Sequence, residues 1–200
     1  MAGDPQTQLL LAFVTGYLLG SIPFGLVLTR FAGKGDVRKV GSGNIGATNV
    51  LRAAGRRTAA LTLLLDALKA TAAVLLARLL WPGSESFAAA GALIGHLYPV
   101  WLKFRGGKGV ATYLGLLIPL LWPAAVVYAL AWVAALAIIR ISSVAGMLAA
   151  ISAPVAAAAL GQKTLFPMLL GFTFLVLWRH HENLARLKAG KEPRIGKKSD

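Results

Sequence analysis

The chain contains no cysteine, which excludes disulfides, thiolate metal sites and thiol nucleophiles. Acidic residues are scarce, with 7 Asp and Glu against 21 Lys and Arg in 200 residues. That is too few for a two-carboxylate acid–base site in a chain whose carboxylates are spread over many segments. With only three histidines, neither a metal centre nor a cofactor site is expected. The sequence holds no His-Glu-x-x-His helix, no Gly-x-Ser-x-Gly elbow and no His-x4-Asp pair. Any chemistry must rest on cations, amides and glycine backbone, groups that bind phosphate and stabilise developing negative charge.

Charge is sparse as well. Charged residues make up 14% of the chain, hydrophobic residues 57%, and the mean hydropathy is +0.69. A soluble domain of this length could not hide so much apolar surface, so the sequence reads as one all-α integral membrane domain over residues 1–200. The net charge of +14 would suggest nucleic acid in a soluble protein. Here the cations lie between and after the apolar segments, which points to membrane lipids, phosphorylated substrates and topology setting, with no nucleic-acid partner. No obligate protein partner is evident. The stretch Met1 to Gln8 has no Lys or Arg and does not resemble a cleaved signal peptide.

Seven spans are predicted. Leu9 to Leu28 is the first, with Pro23 breaking its last turns, and residues 30–57 form a basic loop. Thr58 to Trp81 and Phe87 to Leu102 follow, then a basic loop from Lys103 to Lys108. The apolar run Val110 to Ile139 would rise about 45 Å as one helix, beyond a hydrocarbon core of about 30 Å. Pro119 and Pro123 divide it into a short fourth span and a fifth. Arg140 to Ser143 is a turn, Val144 to Leu160 a sixth span and Leu165 to Trp178 a short seventh. Of the 21 Lys and Arg, all but Lys69, Arg78 and Lys163 then fall on one side. The positive-inside rule makes that side cytoplasmic, with the N-terminus outside and the basic tail, residues 179–200, inside.

Three polar stretches converge on that side. The first, Gly41-Ser42-Gly43-Asn44-Ile45-Gly46-Ala47-Thr48-Asn49-Val50-Leu51-Arg52, can fold backbone N–H groups round an anion while its arginine supplies charge. The second runs from Lys103 through Gly106, Gly107, Lys108 and Gly109 to Thr112, placing glycines and an ammonium at the start of a helix. Its spacing is not that of a P-loop, and a tight basic turn between spans would use the same residues. The third, Arg179 to Leu187, puts His180, Asn183 and Arg186 three residues apart on one helical face; a solvated tail anchored on anionic lipid would show the same pattern. Within the second span, Asp66 and Lys69 are placed to pair, which reads as a structural ion pair bracing the site from below. His96 reads as a buried histidine bonded to a backbone carbonyl. Gly16, Gly20 and Gly25, with Ser21 among them, suit close helix packing.

Taken in order, Gly41–Arg52, His96–Thr112 and the tail from Arg179 through Glu192 resemble the three signature motifs of the PlsY family, the bacterial acyl-phosphate:glycerol-3-phosphate acyltransferases. Apolar segments of similar length and spacing fill the rest, so the resemblance covers nearly the whole chain. Ile45 stands where the family often has proline, and His181 where it often has arginine. The resemblance implies seven transmembrane helices and an active site facing the cytoplasm at the bacterial inner membrane. It implies transfer of a fatty acyl group from acyl phosphate to the 1-hydroxyl of glycerol 3-phosphate, giving lysophosphatidate and phosphate in phospholipid biosynthesis. Ser42, His180 and Asn183 are then the catalytic candidates. Gly41, Gly43, Asn44, Asn49, Arg52, Gly106, Gly107, Lys108 and Arg186 are the substrate- and phosphate-binding candidates, with N–H groups of Gly43 and Gly107 on phosphate and Asn44, Asn49 and Asn183 orienting hydroxyls and the carbonyl. Two routes stay open: direct attack by the glycerol hydroxyl, or an acyl-enzyme on Ser42 with His180 as base. Serine among glycines and cations favours the first. Apart from the resemblance, a small anion or phosphate transporter is the alternative reading, although the polar groups gather on one face and the motifs show no inverted repeat.

Overall fold

The computed structural model describes residues 4–195. Residues 196–200 of the predicted tail lie outside the described residues, as do the first three residues of the chain. Nine α-helices and two 3-10 turns make up the regular structure among the described residues, with no strand. Four segments are long and apolar enough to cross a membrane: Pro5–Phe31, Ala47–Leu80, Trp122–Ile139 and Ser142–Ala159. The contacts divide the chain into two compact units that meet in sequence between Leu120 and Leu121.

In the first unit α1 (Pro5–Gly20) is capped by Asp4, whose carboxylate accepts from Thr7 N. The helix stops at Ser21-Ile22-Pro23, and α2 (Phe24–Phe31) resumes beyond it. Proline has no N–H to continue the ladder, so Pro23 breaks the span at the predicted place. Helix α4 (Glu85–Leu97) packs closely on α1. Gly16 faces the Ala88 backbone and Gly20 the Ala92 backbone, while Gly91 and Gly95 face the Phe13 and Tyr17 carbonyls. Two small-xxx-small pairs thus interlock, each leaving no room for a Cβ.

Helix α3 (Ala47–Leu80) begins well inside what the sequence suggested was a loop over residues 30–57. Its first turns carry Asn49 and Arg52, and the ladder is interrupted at Gly55, where φ is 81°. The three polar residues Arg52, Arg56 and Arg57 mask a helical pattern that resumes the apolar run after the kink. Helix α5 (Val110–Leu120) packs on α3, with Gly115 against the Ala67 backbone and Thr71 Oγ1 donating to the Gly115 carbonyl at 2.7 Å.

In the second unit α6 (Trp122–Ile139), α7 (Ser142–Ala159) and α8 (Phe166–Arg179) pack in sequence order. The break before α6 falls at Leu121, between Pro119 in the last turn of α5 and Pro123 in the first turn of α6, so the long apolar run divides as its prolines require. Thr173 Oγ1 donates to the Ala150 carbonyl at 2.7 Å and ties α8 to α7. A short helix α9 (His181–Lys188) follows directly on α8.

Candidate active site

The first glycine stretch is a tight loop wound round one side chain. Gly41 and Gly43 have φ of 57° and 68°, a region costly for residues with a Cβ. Asn49, buried on the first turn of α3, fills the loop's centre. Its Nδ2 lies 2.9 Å from each of the Val37, Val40 and Asn44 carbonyls, and its Oδ1 accepts from Ser42 N at 3.1 Å. Asn44 Oδ1 accepts from Gly46 N at 2.7 Å, forming the turn that starts α3. Asp36 secures the approach, accepting from Arg38 N at 3.0 Å and pairing with the Arg38 guanidinium at 2.6 Å. That hydrogen bond to Arg38 holds the Asp36 carboxyl down at about 2.

Two expectations for this loop change. Asn49 was expected to orient substrate groups, but its amide is spent on the loop's own backbone, making it the brace of the loop. Gly43 was expected to offer its N–H to phosphate, but that N–H donates to the Val40 carbonyl at 3.1 Å. What the loop presents outward is side chains: Ser42 and Arg52 are both exposed.

The second glycine stretch behaves in the same way. Gly106 N donates to the Leu97 carbonyl at 3.1 Å and Gly107 N to the His96 carbonyl at 3.0 Å, so these N–H groups also close the fold instead of forming an open anion cradle. The physical reason is that the chain doubles back on the end of α4, where unpaired carbonyls need donors. Gly107 lies directly against the His96 ring and Gly106 against Pro99 and the His96 carbonyl; any Cβ would overlap them. Lys108 sits at the mouth of this loop, partly exposed. One buried cluster joins the flanks of both loops in the first unit: Val37, Ile45 and Val50 round the first and Leu102 just before the second, with Leu26 and Ala59.

Beneath the second loop lies a group of buried charges. Lys69 Nζ is 2.7 Å from Asp66 Oδ1, donates to the Ile22 carbonyl at 2.7 Å and lies 3.0 Å from His96 Nδ1. An ammonium can only donate, so His96 Nδ1 accepts and the ring proton sits on Nε2. At Nδ1 the partner of His96 is thus Lys69, which the spacing in sequence does not reveal.

In the second unit the third motif is organised by Glu192. Its Oε1 accepts from Asn183 Nδ2 at 2.5 Å and Ser143 Oγ at 2.7 Å, and its Oε2 pairs with Arg186 Nε at 2.7 Å. Burial raises this carboxyl, but the hydrogen bonds from Asn183, Ser143 and Arg186 outweigh it and hold it below its ordinary 4.5. Ile195 N donates to the Arg140 carbonyl at 2.8 Å and pins the tail over the turn between α6 and α7. His180, buried at the joint of α8 and α9, has Nδ1 2.7 Å from the Val176 carbonyl. A carbonyl only accepts, so Nδ1 carries a proton there. Arg186, expected on phosphate, has its Nε committed to Glu192. Sequence reasoning missed Ser143 and did not assign Glu192; the signal was a carboxylate closing a strongly basic motif.

A family model for glycerol-3-phosphate acyltransferase matches residues 10–190. The glycerol-3-phosphate acyltransferase of Mesorhizobium japonicum is 54% identical over 190 residues, covering 95% of this chain and 97% of its own. That of Agrobacterium fabrum is 55% identical over 195 residues, covering 95% and 93%. The crystal structure of PlsY, an integral membrane glycerol 3-phosphate acyltransferase, in its glycerol 3-phosphate form matches with a TM-score of 0.89 at 38% identity, over 94% of this chain and 96% of that one. Its lysophosphatidic acid form matches with a TM-score of 0.86 at 36% identity, over 94% and 95%. The chain belongs to the glycerol-3-phosphate acyltransferase family.

Proposed function

We propose that this chain is a multi-pass membrane enzyme that transfers a fatty acyl group from acyl phosphate to the 1-hydroxyl of glycerol 3-phosphate, releasing lysophosphatidate and phosphate. The observation that carries the reading is the match, over 94% of the chain, to an acyltransferase whose crystal structure is a glycerol 3-phosphate form. The donor is what the PlsY resemblance implies, and the chemistry fits it. Acyl phosphate is already activated, so an enzyme without an evident activated nucleophile needs only to orient two anions and neutralise their repulsion.

Ser42, Arg52 and Lys108 are assigned to phosphate, with Arg52 able to engage it through two parallel hydrogen bonds. Asn183 and His180 are assigned to the acceptor side. In the preferred route the glycerol oxygen attacks the acyl carbon and the bond from that carbon to the phosphate oxygen breaks. The hydroxyl proton passes to a phosphate oxygen. In the alternative route Ser42 Oγ attacks the acyl carbon, the bond from that carbon to the phosphate oxygen breaks and His180 takes the serine proton; the glycerol oxygen then attacks the acyl-serine, its proton passes to a phosphate oxygen, and Ser42 Oγ leaves with the proton returned by His180. Trapping with labelled acyl phosphate decides between them: a covalent adduct on Ser42 of the wild type excludes direct attack.

The same reading assigns seven passes, the N-terminus outside, and a site facing the cytoplasm of the bacterial inner membrane, all within one domain. The charge asymmetry of the loops supports it. Helices α5 and α8, at 11 and 14 residues, rise only about 16 and 21 Å and would cross only where protein surrounds their ends. Detergent-purified protein should release phosphate and form lysophosphatidate from acyl phosphate and glycerol 3-phosphate. Activity with acyl-CoA but not acyl phosphate would refute the donor assignment. Phosphate flux into liposomes without turnover would instead establish the transporter alternative.

A further inference from the structure

We propose that Asp66, Lys69 and His96 form a buried post that positions the Gly106–Lys108 loop for glycerol 3-phosphate, making all three positioning residues for the transfer reaction. The proposal rests on the assignment of Lys108 to phosphate.

The geometry runs upward from the core. Asp66 and Lys69 are almost fully buried in α3 and paired at 2.7 Å. A buried ammonium repays its desolvation only when its remaining donors are used. Lys69 uses them on two elements: the Ile22 carbonyl at the break between α1 and α2, at 2.7 Å, and His96 Nδ1 at 3.0 Å. The Phe24 ring centroid lies 5.7 Å from Nζ and adds a cation–π contact. His96 Nδ1 also stands 3.8 Å from Asp66 Oδ1, a distance between two acceptors, and Lys69, within 2.7 Å of Asp66 Oδ1 and 3.0 Å of His96 Nδ1, fixes that edge of the ring. Its other edge, carrying the proton at Nε2, meets Gly107 so closely that a Cβ there would overlap Nε2 and Cε1. The His96 carbonyl accepts Gly107 N at 3.0 Å. One residue therefore holds Gly107 through both ring and backbone, and Lys108 is the next residue. A pair serving only to join helices would not need a ring standing between it and a loop.

The test separates positioning from bulk stability. His96→Asn keeps an acceptor for Lys69 near the Nδ1 position and removes the ring edge that meets Gly107. The double variant D66N/K69M removes both charges together and leaves no unpaired ion. Both should keep a melting temperature in detergent close to wild type, while KM for glycerol 3-phosphate rises roughly tenfold, short of the hundredfold that follows an ångström of misplacement. KM for acyl phosphate should move less. Lys108→Ala is measured beside them. If Lys108→Ala raises KM for glycerol 3-phosphate but His96→Asn leaves it unchanged, the post is only structural and the proposal fails. It fails equally if kcat and both KM values fall or rise in step with melting temperature. If Lys108→Ala itself changes nothing, the phosphate assignment falls and takes the post with it.

Discussion

Replacing Asn49 by alanine tests the first loop most directly. Its side chain is 2% exposed and is surrounded by three carbonyls, each at 2.9 Å, and one N–H at 3.1 Å. An amide has two Nδ2 hydrogens, so the three carbonyls share two full bonds; with the Oδ1 bond the side chain supplies three. At about 1 kcal/mol net each, the loss is about 3 kcal/mol. Val37 is buried and its carbonyl loses a partner that water cannot replace, whereas Val40, Ser42 and Asn44 lie where water can enter. The penalty therefore falls on the loop, not on the helical core. At about 1.4 kcal/mol per factor of ten, the correctly closed loop should become about a hundredfold rarer relative to open forms. The expected result is a drop in kcat/KM for glycerol 3-phosphate of that order, together with loss of hydrogen-exchange protection at the Ser42 amide, at nearly unchanged melting temperature. Asn49→Asp is a sharper form of the same experiment. It keeps Oδ1 for Ser42 but turns a charged oxygen toward the Val37, Val40 and Asn44 carbonyls, so it should be at least as damaging as alanine despite its shape. An alanine variant within twofold of wild type, with Ser42 still protected, would refute the account.

Further outcomes concern packing and pH. Gly20→Ala places a Cβ into the Ala92 backbone and should cost about 1–3 kcal/mol, read as a lower melting temperature, whereas Gly171→Ala, where nothing lies within 4 Å of the added carbon, should be neutral or slightly stabilising; equal effects would count against the interlocked helices. Glu192 is held below its ordinary 4.5, so its contribution to tail docking is complete above that value and is lost as pH falls through the folded-state value. Protease protection of residues 181–195 should therefore weaken in acid, and Glu192→Gln should abolish that pH dependence; an unaltered profile in the variant would assign it to another group. Asp36, lowered from 3.8 to about 2, should keep its turn ordered further into acid, losing it only between those values, as read by exchange at the Arg38 amide.

Much of the helical order was legible because its determinants are local. Pro23, Pro119 and Pro123 interrupt apolar runs at the places where helices end or begin, and Gly16 and Gly20 mark the face that meets α4. The start of α3 was not legible, because a cluster of Arg52, Arg56 and Arg57 looks like a loop when only hydropathy is considered, while Gly46 and Ala47 begin the helix through the Asn44 turn. Long-range polar contacts were the other gap. Spacing could pair Asp66 with Lys69, but nothing local joins Lys69 to Ile22 or His96, or Glu192 to Ser143, since those bonds connect residues 47, 27 and 49 positions apart.

Glycine was the residue most open to misreading at the candidate site. A glycine in sequence has three physical uses: to reach positive φ, to admit close packing, or to expose an N–H to a ligand. The third use is the one the sequence suggests for Gly43 and Gly107. The structure instead uses positive φ at Gly41 and Gly43 and close packing at Gly107, with the N–H groups of Gly43, Gly106 and Gly107 donating to carbonyls of their own unit. Backbone amides committed in this way do not need to be ordered when substrate arrives, so the loops are already shaped before binding. The proposed function then assigns anion recognition to the side chains that the loops carry, Ser42, Arg52 and Lys108. These cations and the hydroxyl can follow a phosphate as charge redistributes during transfer, whereas a rigid amide cradle would favour one state. For the proposed reaction, in which two anionic reactants give two anionic products, that division of labour would let glycine set the geometry and the cations supply the field.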